Sequence, residues 1–283
     1  MNNKSEELVS YSNGKNESFI EYIELIKKSQ LHWEIILNRP EKYNAITSSM
    51  YDRLTEILNQ GAKDEELVLL SITGKGKYYS SGTDLTDPAK SFASTTTTDI
   101  ETIAERGKNR LKSFIESLIN FPKILISFVN GPAIGISVST LALFDGVYAS
   151  SSSTFSLPFI RTAQTTEGCS SFTFPNIMGS LHAKEILLFD QKLTAEQAQQ
   201  RGLVTRVIQD DLFEKEKDEI CQFILSLPKQ SLLTTKKLIQ RWNIDTLKIV
   251  NQQELNTLKQ QWLSQEFPQA ILTFINRRKK SNL

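Results

Sequence analysis

The chain has 283 residues, with 33 Lys plus Arg against 32 Asp plus Glu, a formal net charge of +1. That balance argues against a protein whose main task is to coat nucleic acid or an anionic membrane, which calls for a basic excess. With 39% hydrophobic and 23% charged residues, a packed core is affordable and wholesale disorder is not. Two cysteines, Cys169 and Cys221, and two histidines, His32 and His182, stand apart with no CxxC or Cys/His cluster. Structural zinc and a disulfide framework are therefore not expected, and a reducing compartment is.

In chain order, Met1–Glu17 is polar, lacks the apolar centre of a secretory signal, and is expected to form a flexible N-terminal segment. Ser18 to Lys27 alternates, Ser29-Gln30 follows, and Leu31 to Asn38 reads LHWEIILN, which together signal a hairpin. Arg39-Pro40 ends it. Met50, Leu54, Ile57 and Leu58 share one face of a helix expected over 49–60, with Gly61 as its stop. Leu67 to Thr73 is continuously apolar, as a strand buried on both faces requires.

After a loop dense in Ser and Thr, Thr98 and Glu101 have capping-box spacing. Leu111, Phe114, Ile115 and Leu118 then recur at helical spacing. Ile124 to Phe144 carries no charge and is long enough to cross a membrane. Asn130-Gly131-Pro132 interrupts it, so a buried strand, a sharp turn and a buried helix are expected instead. Short strands follow at Val147–Ala149, Thr154–Leu157 and Leu203–Ile208, with a second capping-box spacing at Thr194 and Gln197. Beyond Asp210 only helices are expected. The pattern is α/β with crossover connections: a core over 18–210, then a helical region over 211–283.

Three segments could carry chemistry: Gly74–Leu85 (GKGKYYSSGTDL), Asn130–Ile136 (NGPAIGI) and Thr165–Ser170 (TTEGCS). The first two read as strands ending in glycine-containing turns, which leave backbone N–H groups without partners. Gly82 and Gly135 would let a ligand approach the backbone, and two converging N–H groups make an oxyanion hole. Each motif taken singly is equally a tight turn. Glu167 is the one charged carboxylate in a long run of small and neutral residues. That setting suits a general base and equally a glutamate at a helix N-terminus. Other templates fail on spacing. Gly74-Lys75-Gly76-Lys77 is not a phosphate-binding loop, no GxGxxG occurs, and Gly135–Ser139 lacks the second glycine of a hydrolase elbow. His182 reads as a helix-surface residue, His32 as structural, and Arg277–Lys280 as a solvated basic run.

In this order, GKYYSSGTDL, NGPAIGISVSTLALFDGVYAS and TTEGCSSFTFPNIMG resemble the crotonase (enoyl-CoA hydratase/isomerase) superfamily, and most of all its fungal peroxisomal 3-enoyl-CoA to 2-enoyl-CoA isomerases. The resemblance covers roughly residues 18–210, and the helical tail fits it. It implies a spiral of ββα units followed by C-terminal helices that assemble trimers or dimers of trimers. It also implies an acyl-CoA thioester held by the backbone N–H groups of Thr83 and Ile136, with the commoner alanine replaced at Thr83. Hydratases of this family carry glutamates where Ser139 and Phe159 stand here, so hydration is not expected. Glu167 matches the glutamate of the isomerases. By the resemblance, substrate contacts fall on Lys42, Ala45, Lys77, Ser81, Gly82, Asp84, Leu85 and Gly135. No metal or redox cofactor is implied, CoA being part of the substrate. The ending Ser281-Asn282-Leu283 is similar to a peroxisomal import tripeptide, which implies an import receptor as partner and a peroxisomal location. Alternatives are a dienoyl-CoA isomerase of the same fold and a catalytically silent scaffold or RNA-binding family member. The charge balance speaks against RNA.

Overall fold

A computed structural model describes residues 22–87 and 97–281, and the side chains of 22–87 and 99–276. The expectations for Met1–Glu17, for the start of the first strand, for the Thr98 cap and for the Asn282-Leu283 ending lie outside the described residues. The main sheet has the order β1-β2-β3-β4-β6-β9. Its strands are β1 Ile23–Lys27, β2 His32–Leu37, β3 Leu69–Gly74, β4 Ile124–Val129, β6 Gly146–Ser150 and β9 Arg206–Ile208. β1 and β2 form the expected antiparallel hairpin, with Ile23 opposite Leu37, and every later neighbour is parallel. Between them, β5 Ala133–Ile134, β7 Thr154–Ser156 and β8 Leu193–Thr194 build a second, three-stranded sheet.

β3 and β4 carry no charge and are mostly apolar because both faces of the main sheet are covered. Leu70, Ile72, Leu125 and Val129 face the large core, with α1 Ser48–Lys63 and α2 Thr97–Ile119 packed over them. Leu69, Ile124, Ile126 and Phe128 face a smaller cluster closed by Phe213, Ile220, Cys221 and Ile224 of α7 Phe213–Ser226. α1 runs through Gly61 to Lys63, so this glycine is not its stop. A Cβ at Gly61 would come 3.0 Å from Leu67 Cδ2, so the glycine serves close packing within the helix. The expected strand from Leu203 pairs only from Arg206, while Leu203 and Val204 are buried in the approach to it.

The charge-free run resolves into β4, a turn, β5, the short helix α3 Ile136–Ser139 and a 3₁₀ turn over 140–143. Among the described residues no helix is long and apolar enough to cross a membrane. From Asp210 onward the chain is helical: α7, α8 Lys229–Arg241, α9 Ile244–Trp262 and α10 Glu266–Ser281. These helices are not a separate body, since Leu255 and Leu258 of α9 belong to the large core. α9 packs on α2 and on α4 Ser170–Met178, and α10 closes against the 3₁₀ turn over 160–162.

The small-cluster face is also polar. His32 Nε2 lies 2.9 Å from Ser71 Oγ, and buried Glu34 pairs with Lys217 at 3.3 Å. Burial holds the His32 pKa below its ordinary 6.5, although the Glu34 charge pulls the other way. The folded state therefore takes up its proton less readily than the unfolded chain. The contribution is fully present above pH 6.5 and is lost as pH falls from there through the lowered folded value. Urea titrations from pH 7.5 to 5.5 are expected to show unfolding free energy dropping towards acid, with a shallower drop in His32→Gln. Equal slopes would remove His32 from the account.

Candidate functional site

Two loops are stitched edge to edge by backbone and small polar groups. The segment 80–84 bridges Ile46 on one side: Ile46 N–H donates to Gly82 O at 2.8 Å and Asp84 N–H to Ile46 O at 2.9 Å. On the other side Ile134 N–H donates to Ser80 O at 3.0 Å, and Ser137 Oγ donates to the same carbonyl. Gly82 has φ +81°, and a Cβ there would sit 2.4 Å from Ile134 O. No other residue fits. Asn130 brackets the neighbouring turn, accepting from Gly74 N–H at 3.0 Å and donating to Gly76 O at 2.8 Å. Gly131 passes so close to Lys77 O that a Cβ would approach it to 2.1 Å. Buried Asn44 donates to the carbonyls of Lys75 and Tyr78.

This stitching decides which N–H groups stay free. Pairing of Ile46 with its neighbours leaves the Thr83 N–H turned away from that partner, as parallel bridging requires. Gly135, at φ +65°, caps α3 and donates its N–H to Ser156 O, and the first helical N–H is that of Ile136. Among the described residues neither the Thr83 nor the Ile136 N–H has an acceptor. Both residues line one cavity of about 350 Å³, together with Glu167. Lys42, Ala45, Ser81, Gly82, Asp84, Leu85 and Gly135 stand on its wall as well. Lys77 does not: it is exposed and borders neither this cavity nor its neighbour.

Asp84 is on the wall, but its carboxylate is engaged. Arg39 Nη1 donates to it at 2.6 Å, and Thr86 donates through N–H and hydroxyl. Burial alone would raise its pKa, and these donors hold it below 3.8 instead. The branched side chain of Thr83 is also accounted for. Its hydroxyl pairs at 2.6 Å with the OH of Tyr51, a fully buried residue of α1 that the sequence pattern does not single out. Burial first, and then the nearby Glu167 charge, push the Tyr51 pKa well above 10, so it remains a phenol.

Glu167 is 5% exposed and precedes α4 rather than sitting in it. Gly168 and Cys169 follow in left-handed conformations, φ +71° and +63°. Ser170 closes the turn by donating N–H and Oγ to the Glu167 carbonyl. Glu167 also borders a second, mainly apolar cavity of about 500 Å³. Its walls include Ile103 and Leu111 of α2, Trp262 of α9, and Phe267 and Ile271 of α10. Thr83, Leu85, Gln164, Glu167 and Ile275 border both spaces. Gln164 is fixed there by its bonds to Thr162 Oγ1 and Trp262 Nε1–H. Glu167 and Thr83 thus stand where the two cavities meet, with Ile136 on the wall of the first. The isolation of Glu167 along the sequence is not isolation in space, because Glu254 of α9 reaches the same loop from behind.

Both cysteines are buried free thiols, and among the described residues no three His, Cys, Asp or Glu side chains are grouped to hold a metal ion. His182 is exposed on α5 Ser180–Leu188 beside Glu185.

The sequence profile of the Enoyl-CoA hydratase/isomerase family matches residues 29–282. Enoyl-CoA delta isomerase 2 of Homo sapiens is 42% identical over 247 residues, covering 87% of this chain and 61% of that protein. The chain therefore spans about six tenths of that relative's length. Enoyl-CoA delta isomerase 3, peroxisomal, of Mus musculus is 36% identical over 250 residues, covering 88% of this chain and 77% of that one. Among solved structures, an enoyl-CoA hydratase/isomerase from Pseudoalteromonas atlantica T6c superposes with a TM-score of 0.80 at 26% identity, covering 91% of this chain and 98% of that one. Sequence profile, curated relatives and superposed fold agree over nearly all of the described chain: it belongs to the enoyl-CoA hydratase/isomerase family and has the crotonase fold.

Proposed function

We propose that the protein moves the double bond of a 3-enoyl-CoA to give 2-trans-enoyl-CoA, with Glu167 as the sole proton carrier. The observation that carries this is the position of Glu167 on the wall shared by the two cavities, beside two backbone N–H groups that have no acceptor among the described residues. The Glu167 carboxylate removes a proton from carbon 2 of the bound thioester. The electron pair moves towards the carbonyl, and the oxygen takes negative charge facing Thr83 N–H and Ile136 N–H. The carboxylic acid so formed returns the proton to carbon 4, the double bond settles between carbons 2 and 3, and the carboxylate is regenerated. Fixed donors of this kind contribute about 2.7–4 kcal/mol each, because they strengthen as charge develops. The CoA portion lies along Lys42, Ala45 and 81–85, and the acyl tail enters the apolar cavity.

Hydration is disfavoured by what occupies the two positions where a second carboxylate would stand. Ser139 is fully buried in α3, its hydroxyl donating to Ile136 O, and Phe159 presents an aromatic ring at the cavity wall. The same argument disfavours the dienoyl-CoA isomerase, since Asp84 is committed to Arg39. Reaction by this route needs no cofactor beyond the CoA of the substrate. The place of the protein is β-oxidation of unsaturated fatty acids in the peroxisome, a reading supported by the Mus musculus relative's name. Self-assembly into a trimer or hexamer is supported by large apolar side chains left exposed on helices or at their ends, among them Leu181, Phe189 and Trp242.

Purified protein is expected to convert 3-hexenoyl-CoA to the 2-enoyl product. Glu167→Gln is expected to lower kcat by about 10²–10⁴-fold with KM little changed. Turnover retained by the variant would mean that another group is the base. Gly82→Ala is expected to lower kcat by about 10²-fold or more, because the new Cβ must push Ile134 O away and open the wall carrying both N–H groups. A Gly82→Ala enzyme with wild-type kcat would show that this close approach is not what sets the oxyanion hole.

A further inference from the structure

Behind Glu167 the chain makes a turn that is unfavourable on its own. Gly168 and Cys169 both have positive φ, and Cys169 does so with a side chain. On one side the turn is pressed against α3, since a Cβ at Gly168 would lie 2.7 Å from Ser139 Oγ. On the other side stands Glu254. Its Oε2 accepts the Cys169 N–H at 2.7 Å and its Oε1 accepts the Ser171 N–H at 2.8 Å. The Cys169 thiol adds a weaker bond to Leu247 O, about two turns of α9 earlier.

Glu254 is 7% exposed and has no cationic partner among the described residues. A buried carboxylate without a counter-ion is expensive to keep. Its neighbours on the inward face of α9, Leu255 and Leu258, are the residues that packing alone would select. What the carboxylate adds over a leucine is two acceptors at the spacing of two backbone donors, one at the N-cap of α4 and one in its first turn.

We propose that Glu254 is a positioning residue for catalysis: by clamping the Cys169 and Ser171 N–H groups it locks the left-handed turn that aims the Glu167 carboxylate at the junction of the two cavities. The inference deepens the isomerase reading and rests on Glu167 being the base. Glu254 borders neither cavity, so it acts only through the loop.

The test compares wild type, Glu254→Gln, Glu254→Leu and Ile220→Ala in 3-hexenoyl-CoA conversion, thermal unfolding and amide hydrogen exchange. Glutamine keeps one acceptor of the two, and kcat is expected to fall about 10-fold. Leucine keeps neither, and a fall of about 10²-fold is expected, the scale of a misplacement near 1 Å. KM should stay within about twofold in both, since no cavity wall is altered. Exchange at Cys169 and Ser171 should accelerate in both variants. Ile220→Ala, on the far face of the sheet, should lower Tm and leave kcat unchanged. If Glu254→Leu fails to fold, the glutamine variant carries the test. An active wild type with unchanged kcat in Glu254→Gln, or a KM increase in place of a kcat loss, overturns this inference alone. A wild type inactive on short and long 3-enoyl-CoAs overturns the isomerase reading, and this inference with it.

Discussion

The site depends on one close approach, that of the Gly82 backbone to the Ile134 carbonyl. The wall that carries the Thr83 and Ile136 N–H groups follows from two loops being held edge to edge at that distance. Gly82 N–H is satisfied by Ser80 Oγ, its carbonyl by Ile46, and the carbonyl of Ser80 by Ile134 and Ser137. What remains after this pairing is a pair of donors facing a cavity. Leaving a buried N–H without a partner costs about 1–3 kcal/mol. In the proposed reaction a thioester oxygen would meet these donors, most strongly when it carries charge. On the proposed reading, the fold holds ready an interaction that would be completed only as negative charge develops.

The carboxylate side of the site is built by the opposite means. The wall that carries the two N–H groups has its backbone paired on both edges, whereas Glu167 hangs from a turn that carries about 1–3 kcal/mol of conformational strain per left-handed residue with a side chain. Such a turn persists only where its surroundings over-determine it. α3 presses on Gly168, Ser170 ties back to the Glu167 carbonyl, and α9 reaches across to the α4 N-terminus. The C-terminal helices therefore do more than complete the core. α9 supports the loop from behind, while Trp262 of α9 and the first turns of α10 wall the apolar cavity in front. A helical region that reads as an appendage along the sequence is half of the site in space.

This contrast explains what the sequence could and could not tell. β4, the apolar stripe of α2 and the Thr194–Gln197 capping box are local signals, and they appear in the structure almost where the pattern puts them. Gly61 misleads because a glycine inside a helix for close packing and a glycine ending one look the same in a window of a dozen residues. β5 and β8 are two residues long and have no periodicity to detect. The glycines and Asn130 of the two loops were legible as turns, but not their mutual register, which is set by contacts more than fifty residues apart. Tyr51, Gln164 and Glu254 were invisible as site residues for the same reason. Lys42 and Lys77 looked equivalent in sequence, and only the path of the loop separates the one at the cavity mouth from the one outside it.

The resulting distribution of charge narrows the chemistry further than the list of residues does. Asp84 shares the wall with Glu167, yet Arg39 and Thr86 hold its carboxylate in the ionised, fully hydrogen-bonded form, so it has no proton to give near neutral pH. Tyr51 is the converse: burial and the charge of Glu167 keep its proton in place, so it cannot act as a base, and its hydroxyl pairs with that of Thr83. With one neighbour locked charged and the other locked neutral, Glu167 is the group to which the proposed reaction assigns the proton transfer. A single group that both takes and returns the proton suits a 1,3-shift, in which the two carbons lie on one face of an extended chain. It does not suit a hydration that needs acid and base at once. The apolar cavity beyond Glu167 adds to this selectivity, because an acyl tail filling it would exclude the water that a competing reaction requires.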